Sequence, residues 1–276
     1  MIDAGIIRKL QSPWGIPVTI VPKKAPDGTL IPRPCFDGRK LNTVTKRDAF
    51  PLPRIDDILE FMESQPTVFS TLDLFSGYNQ IKMTPRAQEK CSMVTEFGQY
   101  SYNRMTFGLA DAQAIFQRAI SQTLESLIGK SVYIYVDDIC IYTRTFKEHI
   151  QVLRKVLSLL RQNGFFLKAK KCTIATHEAE VLGHKINAEG IHTTEKITKA
   201  VKEFPTPTNR TELRSFLGLA GYYRSFILGF SKIAKPLNDL LRKDISFCWK
   251  DEQQEAFDTL KEKLVIAPIL KRPDLK

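Results

Sequence analysis

Asp137 and Asp138 stand side by side between two apolar runs rich in β-branched and aromatic residues, V-Y-I-Y-V and I-C-I-Y-T, within Val132 to Thr143. Such runs favour strands, and a two-residue polar break between them is the sequence form of a tight β-hairpin, which puts the aspartate pair at the turn. Turn aspartates commonly mean only that a short polar side chain tolerates the backbone. Yet Asp-Asp without a glycine suits a type I′ turn poorly, and adjacent carboxylates repel unless positive charge lies between them. A divalent cation such as Mg²⁺, held by one or two carboxylates plus substrate phosphates, would supply that charge. A third carboxylate, Asp73, interrupts the apolar run Val68 to Tyr78, V-F-S-T-L-D-L-F-S-G-Y, which predicts a strand. Alone it means little. With the pair it completes what a two-metal site needs, where two cations roughly 3.5–4 Å apart hold the attacking and leaving oxygens of an in-line phosphoryl displacement.

The surrounding elements must bring these acids together. The pattern predicts a strand P-V-T-I-V-P before Lys23 and Lys24, with the turn signal at Pro26 to Thr29 placing those lysines near a hairpin tip. Arg33, Arg39 and Lys40 crowd an extended run from Arg33 to Asn42, either a solvated basic face or a phosphate-facing strand. A helix is predicted over Ile55 to Glu63, and a hairpin turning at Phe97-Gly98. From Asp111 as N-cap a helix follows, with Ala112, Ile115, Phe116, Ala119, Ile120, Leu124 and Leu127 at helical spacing. A second amphipathic helix runs from Phe146 to Gln162, closed by Asn163-Gly164. Strand, helix, hairpin, helix, strand is an α+β sandwich with helices on one face of an antiparallel sheet. Strands are then predicted at Phe165 to Lys171 and Val181 to Asn187, and helices at Glu212 to Tyr223, Ser231 to Leu241 and Asp251 to Val265. This shift in pattern predicts a second, mostly helical unit from near residue 190.

Lys and Arg number 41 against 30 Asp and Glu, a net charge of +11 over 276 residues, and such a surplus points to a polyanion partner, nucleic acid first. Cys35, Cys91, Cys140, Cys172 and Cys248 are odd in number and form no C-x-x-C. Free thiols in a reducing, intracellular compartment, cytoplasmic or nuclear, fit that usage better than a structural zinc. There is no apolar run long enough to span a bilayer and no signal-peptide pattern at the N-terminus, so no membrane partner is expected.

L-D-L-F-S-G-Y-N-Q-I, N-R-M-T-F-G-L, F-Q-R, Y-V-D-D-I, V-L-G-H and F-L-G-L-A-G-Y-Y-R-S-F-I, spread in order along the chain, resemble the reverse transcriptase of gypsy-type long-terminal-repeat retrotransposon Pol polyproteins. The resemblance implies a right-hand polymerase fold: fingers and a ferredoxin-like palm over residues 1–189, a mostly helical thumb and connection over 190–245, and a truncated lead-in to an RNase H domain over 246–276. It implies that Asp73, the Leu74 carbonyl, Asp137 and Asp138 hold two Mg²⁺ ions, with Mn²⁺ able to substitute. Tyr78 matches the aromatic gate beneath the sugar of the incoming dNTP. Arg33, and less directly Lys23 and Lys24, match fingers residues on the triphosphate, and Phe107 and Gly108 match the nucleotide-binding turn. Lys171 matches a general acid for the pyrophosphate leaving group, and Leu182, Gly183 and His184 the primer grip. Departures from the family pattern fall at Gln113 (proline), Ile115 (a small hydroxyl residue), Gly38 and Pro32 (aromatics); they leave the metal site whole and bear on template placement.

The implied activity is RNA-directed DNA synthesis on an RNA or DNA template from a DNA or RNA primer, with dNTPs as substrates. A decayed nucleic-acid-binding remnant would need none of the three carboxylates, and Tyr78 argues against an RNA polymerase. No RNase H activity is expected. Asp251, Glu252, Glu255, Asp258 and Glu262 fall on an amphipathic helix as a solvated charged face.

Overall fold

The computed structural model describes residues 1–24, 28–51 and 65–266, apart from the side chains of Lys23, Arg33 and Pro34. The helix predicted over 55–63 lies outside the described residues. Two compact units emerge: Met1–Arg54, Ser70–Tyr142 and Lys147–Ile174 form the first, and Ile55–Phe69, Thr143–Phe146 and Ala175–Lys276 the second.

In the first unit β1 (Ile7–Lys9) precedes β2 (Val18–Lys24) and β3 (Leu30–Phe36), and the last two form an antiparallel ribbon in which Lys24 faces Leu30 at the tip. The extended run expected to Asn42 ends at Phe36. There the Asp37 carboxylate accepts from the Arg39 backbone N–H (3.2 Å), Nε (2.8 Å) and Nη2 (2.6 Å), turning the chain into the short helix α1 (Arg39–Val44).

The strand read through to Tyr78 is β4 (Val68–Asp73) only. Beyond it Ser76 adopts a left-handed φ of +47° and Gly77–Gln80 coil into a 3₁₀ turn. Helix α2 (Pro85–Lys90) is capped by Thr84 Oγ1, which accepts the Ala87 N–H at 3.3 Å. Strands β5 (Ser92–Thr95) and β6 (Gly98–Tyr102) join β1 in the order β1-β6-β5. Thr95 faces Gly98, so their turn is Glu96-Phe97, one residue earlier than expected.

Helix α3 (Ala112–Leu124) starts after Asp111, whose side chain makes no capping bond. Strands β7 (Val132–Tyr135) and β8 (Asp138–Thr143), helix α4 (Phe146–Gln162) and β9 (Thr173–Thr176) complete a sheet of order β7-β8-β4-β9. Phe116, Ile120 and Leu124 of α3 and Leu153, Val156 and Leu160 of α4 pack with Leu72, Ile134, Ile139 and Ile141 of the strands into one buried core. Each such side chain contributes about 1.5–3 kcal/mol on leaving water, which makes this layer the rigid platform for whatever stands at the sheet's end.

The second unit carries the meander β10 (Glu178–Val181), β11 (His184–Asn187) and β12 (Gly190–Thr193). The single strand expected over Val181 to Asn187 is therefore a hairpin. Leu182 and Gly183 take φ of +51° and +75°, and Val181 faces His184. Helices α5 (Glu195–Lys202), α6 (Arg210–Tyr222), α7 (Phe230–Ile233), α8 (Lys235–Asp239) and α9 (Asp251–Val265) follow. Asn209 caps α6, its side-chain oxygen accepting the Thr211 and Glu212 N–H groups at 3.0 Å each. The helix expected over 231–241 is split into α7 and α8, with Pro236 in the first turn of α8, where its missing N–H costs no helical bond.

Candidate active site

Three acids meet at one end of the β7-β8-β4-β9 sheet. The Thr67 N–H donates to the Thr143 carbonyl at 2.9 Å, so β4 begins where β8 ends, and Asp73 at the far end of β4 comes level with Asp138 at the start of β8. The hairpin is not centred on the aspartate pair as the sequence suggested. Tyr135 pairs with Asp138, so the turn residues are Val136 and Asp137, and Val136 carries the positive φ, +51°. A β-branched residue pays for that conformation, and the surroundings enforce it. Gln117, 1% exposed on α3, accepts the Val136 N–H on Oε1 at 2.6 Å and donates from Nε2 to the Ile134 carbonyl at 3.3 Å.

The 3₁₀ turn after β4 covers Asp137 from the other side. A Cβ on Gly77 would lie 2.5 Å from Asp137 Oδ1 and 2.8 Å from Phe116 Cζ, so only glycine permits this approach. That Oδ1 is buried with no hydrogen-bond partner. Burial first, then Asp138 and Asp73, push the Asp137 carboxyl above its ordinary range, and burial followed by Asp73 does the same to Asp138. The arrangement is a concentration of negative charge short of a counter-charge.

Part of that counter-charge is Lys171, whose Nζ sits 2.9 Å from Asp73 Oδ2. The strand expected over Phe165 to Lys171 does not form. Only Leu167 bridges to Leu74, the Phe166 N–H and carbonyl are taken by the Gln80 amide at 2.7 and 3.0 Å, and Ala169–Lys171 make a 3₁₀ turn that swings Lys171 toward Asp73. Asp73, then the other two acids, hold the Lys171 ammonium above its usual range. Among the described residues no three His, Cys, Asp or Glu side chains are gathered closely enough to cage an ion by themselves. The donor set suits a hard cation that completes its shell with substrate oxygens, and the buried Asp137 Oδ1 has no partner of its own.

Tyr78 lies in the same 3₁₀ turn, its ring 4.9 Å from Phe107 and 5.5 Å from Phe116. Burial and then Asp137 raise its phenol. The turn bearing Phe107 and Gly108 is tied to α1: Asn42 Nδ2 donates to the Gly108 carbonyl at 2.8 Å and Asn42 Oδ1 accepts the Ala110 N–H at 2.9 Å. A Cβ on Gly38 would stand 2.5 Å from the Gly108 oxygen, and one on Gly108 (φ +92°) 2.5 Å from the Phe36 oxygen. The Gly108 carbonyl and the Phe36 ring leave no room for a side chain at position 38. Ile115 lines a cavity of about 660 Å³ with Leu41, Met83, Cys91, Met105 and Leu109.

Asp73, Leu74, Asp137, Asp138, Lys171, Tyr78, Phe107 and Gly108 thus belong to the first unit, as does Lys24 at the β2–β3 tip. The side chains of Lys23 and Arg33 lie outside those described. Leu182, Gly183 and His184 form the β10–β11 turn of the second unit. Sequence reasoning missed Gln117, Gly77 and Asn42 as site residues. Gln117 and Gly77 stood inside quoted motifs, and a buried amide on an apolar helix face was the available signal.

The family described as "Reverse transcriptase (RNA-dependent DNA polymerase)" matches residues 21–186. Among curated proteins, the Retrovirus-related Pol polyprotein from transposon 297 of Drosophila melanogaster is 38% identical over the whole chain, and that from transposon gypsy 36%; the chain spans 26% and 28% of them. Among solved structures, the foamy viral protease-reverse transcriptase dRH in complex with ds DNA matches with a TM-score of 0.88 and 27% identity over 99% of this chain and 47% of that one. The foamy viral protease-reverse transcriptase in complex with RNA/DNA hybrid matches at 0.84 and 26%, over 98% of this chain and 36% of that one. The α+β architecture is a polymerase fold. The chain belongs to the reverse transcriptase family, as the RNA-directed DNA polymerase domain found in gypsy-type retrotransposon Pol polyproteins. It spans about a quarter of the curated relatives it matches, and its family generally uses divalent metal ions.

Proposed function

We propose that this chain extends a primer on an RNA or DNA template, the primer 3′-hydroxyl attacking the α-phosphorus of a dNTP with pyrophosphate leaving. Asp73, Asp137 and Asp138, with the Leu74 carbonyl, would hold two Mg²⁺ ions, which supply charge neutralisation and a more acidic 3′-hydroxyl when bound. The observation that carries this reading is the buried, unpartnered Oδ1 of Asp137, kept free by the Gly77 backbone amid two further acids. A protein that merely bound nucleic acid would gain nothing from that repulsion.

The chain's own residues then have distinct tasks. Tyr78, braced by Phe107 and Phe116, offers a flat ring to the sugar of the incoming nucleotide. Lys24, with Lys23 and Arg33, meets the triphosphate. Lys171 carries a proton within reach of Asp73 and is the group to neutralise departing pyrophosphate. Leu182, Gly183 and His184 grip the primer strand, with fingers and palm over 1–189, thumb and connection over 190–245, and a lead-in to RNase H from 246. Such catalysis is chiefly positioning and charge stabilisation. Primer extension on an RNA template with Mg²⁺ tests the reading: Asp137→Asn should abolish product while the protein still binds primer–template. Undiminished extension by that variant would remove the site from the chemistry.

A further inference from the structure

The β10–β11 turn is held in an unfavourable conformation. Leu182 and Gly183 both take positive φ, +51° and +75°, the pattern of a type I′ turn, in which asparagine, aspartate or glycine is usual and a leucine is strained. Strain of this kind persists only where neighbours over-determine the backbone. Here the neighbours are two consecutive tyrosines at the end of α6. Tyr222 Oη donates to the Leu182 carbonyl at 2.6 Å, and Tyr223 Oη to the Gly183 carbonyl at 3.0 Å. The second contact is close enough that a Cβ on Gly183 would meet Tyr223 Oη at 3.2 Å.

The same tyrosines fix the residue that follows. The His184 ring stacks on Tyr222 (centroids 5.4 Å, planes 17° apart) and on Phe226 (5.7 Å, 13°), with Tyr223 edge-on at 5.1 Å. Neither ring nitrogen of His184 has a hydrogen-bond partner. Nothing polar therefore ties the imidazole down, and the turn's height and tilt are set by the two phenol hydroxyls on the carbonyls and by ring packing. Both tyrosines, the turn and Phe226 lie in the second unit.

We infer that Tyr222 and Tyr223 are positioning residues for the primer terminus, acting through the Leu182-Gly183 turn by holding its two carbonyls. The inference rests on the reading of that turn as the primer grip. Removing one hydroxyl frees one carbonyl and lets the strained turn relax toward ordinary backbone, displacing the primer end without touching the carboxylates or the nucleotide.

Photocrosslinking from a primer with a photoreactive 3′-terminal nucleotide, mapped by mass spectrometry, tests both levels. The wild-type chain should crosslink at residues 182–184. Tyr222→Phe, Tyr223→Phe and the double variant should shift or lose that crosslink. Their single-turnover extension rate should fall about fivefold to tenfold, the scale of one ordinary hydrogen bond, with the dNTP dissociation constant unchanged. Phe216→Leu, which trims a buried ring of α6 packed on Phe204 and Phe257 and leaves both carbonyl bonds and the rings around His184 in place, serves as the control for mere destabilisation and should keep the wild-type crosslink. Tyr222 is 42% exposed, so Tyr222→Phe alone keeps the test available if the double variant does not fold. A wild-type crosslink that survives in the Tyr→Phe variants overturns the tyrosine assignment and leaves the primer grip standing. A wild-type crosslink elsewhere overturns the primer grip and the tyrosine role with it. A shift in Phe216→Leu equal to that in the tyrosine variants shows that stability alone moves the turn, and also overturns it.

Discussion

Asp137 sets stability against chemistry. Because burial and neighbouring acids raise the Asp137 and Asp138 carboxyls, the native chain holds protons more tightly than the unfolded chain from the ordinary carboxylate value of 3.8 upward. The stability tied to the protonated form is present at low pH and lost as pH rises through that window. At neutral pH without divalent cation the ionised acids therefore oppose folding. Asp137→Asn should melt higher than wild type there, by roughly 2–4 °C for each kcal/mol relieved, with the advantage fading in acid. Added Mg²⁺ should raise the wild-type midpoint and leave the variant's nearly unmoved. A variant that melts lower at neutral pH would contradict this account. Tyr78 gives the second prediction at this scale. Tyr78→Val removes the ring that rests on Phe107 and Phe116 and should raise ribonucleotide incorporation relative to deoxyribonucleotide; equal discrimination in variant and wild type would show that the ring does not gate the sugar. Gly38 shows how a residue can mislead from sequence alone. Its departure from the family pattern reads as a loss, yet the backbone it permits brings the Gly108 oxygen to 2.5 Å from where a Cβ would stand. Restoring an aromatic there should destabilise the protein.

Elements held by local rules were legible. Helices α4 and α9 fall on their expected residues because an apolar stripe with its flanking stop signals is written within one segment. The turns at the site were not. Val136-Asp137 takes the hairpin tip because Gln117, nineteen residues earlier, binds the Val136 N–H, and no local pattern announces that. Leu182-Gly183 was missed because leucine is no turn residue and the tyrosines that hold it lie 40 positions away. Lys171 left its expected strand because pairing with the chain around Asp73 stops at Lys168, whose N–H reaches the Asp73 carbonyl at 2.8 Å, and Ala169–Lys171 then coil, the Lys171 N–H returning to the Lys168 carbonyl at 2.8 Å. Gln117→Leu tests the hairpin. It leaves the Val136 N–H buried without an acceptor, a cost of about 1–3 kcal/mol, and should cut extension about thirtyfold, the rate equivalent of the middle of that range, while the circular dichroism spectrum is kept. Full activity in Gln117→Leu would mean that the core alone holds Asp137.

For the whole chain, a net charge of +11 makes salt the controlling variable of nucleic-acid binding. Each phosphate neutralised contributes about −0.9 to the slope of log K against log salt on B-form duplex, so several contacts give a steep line. A titration that stays flat from low to moderate salt would show that phosphate contacts do not hold the template. Charge and the ordered motifs made the family legible from sequence. The second unit also takes in residues 65–69 and Thr143–Phe146, short stretches from earlier in the chain, and composition shifts cannot reveal such interleaving.

The left-handed valine and leucine at the two hairpin tips also bear on selection. Each side chain sits where glycine or asparagine would relieve the backbone, so selection for stability alone should carry positions 136 and 182 toward those residues. A stability-only selection on a library of this chain would show that shift, with enrichment at the two tips accompanied by failing primer extension.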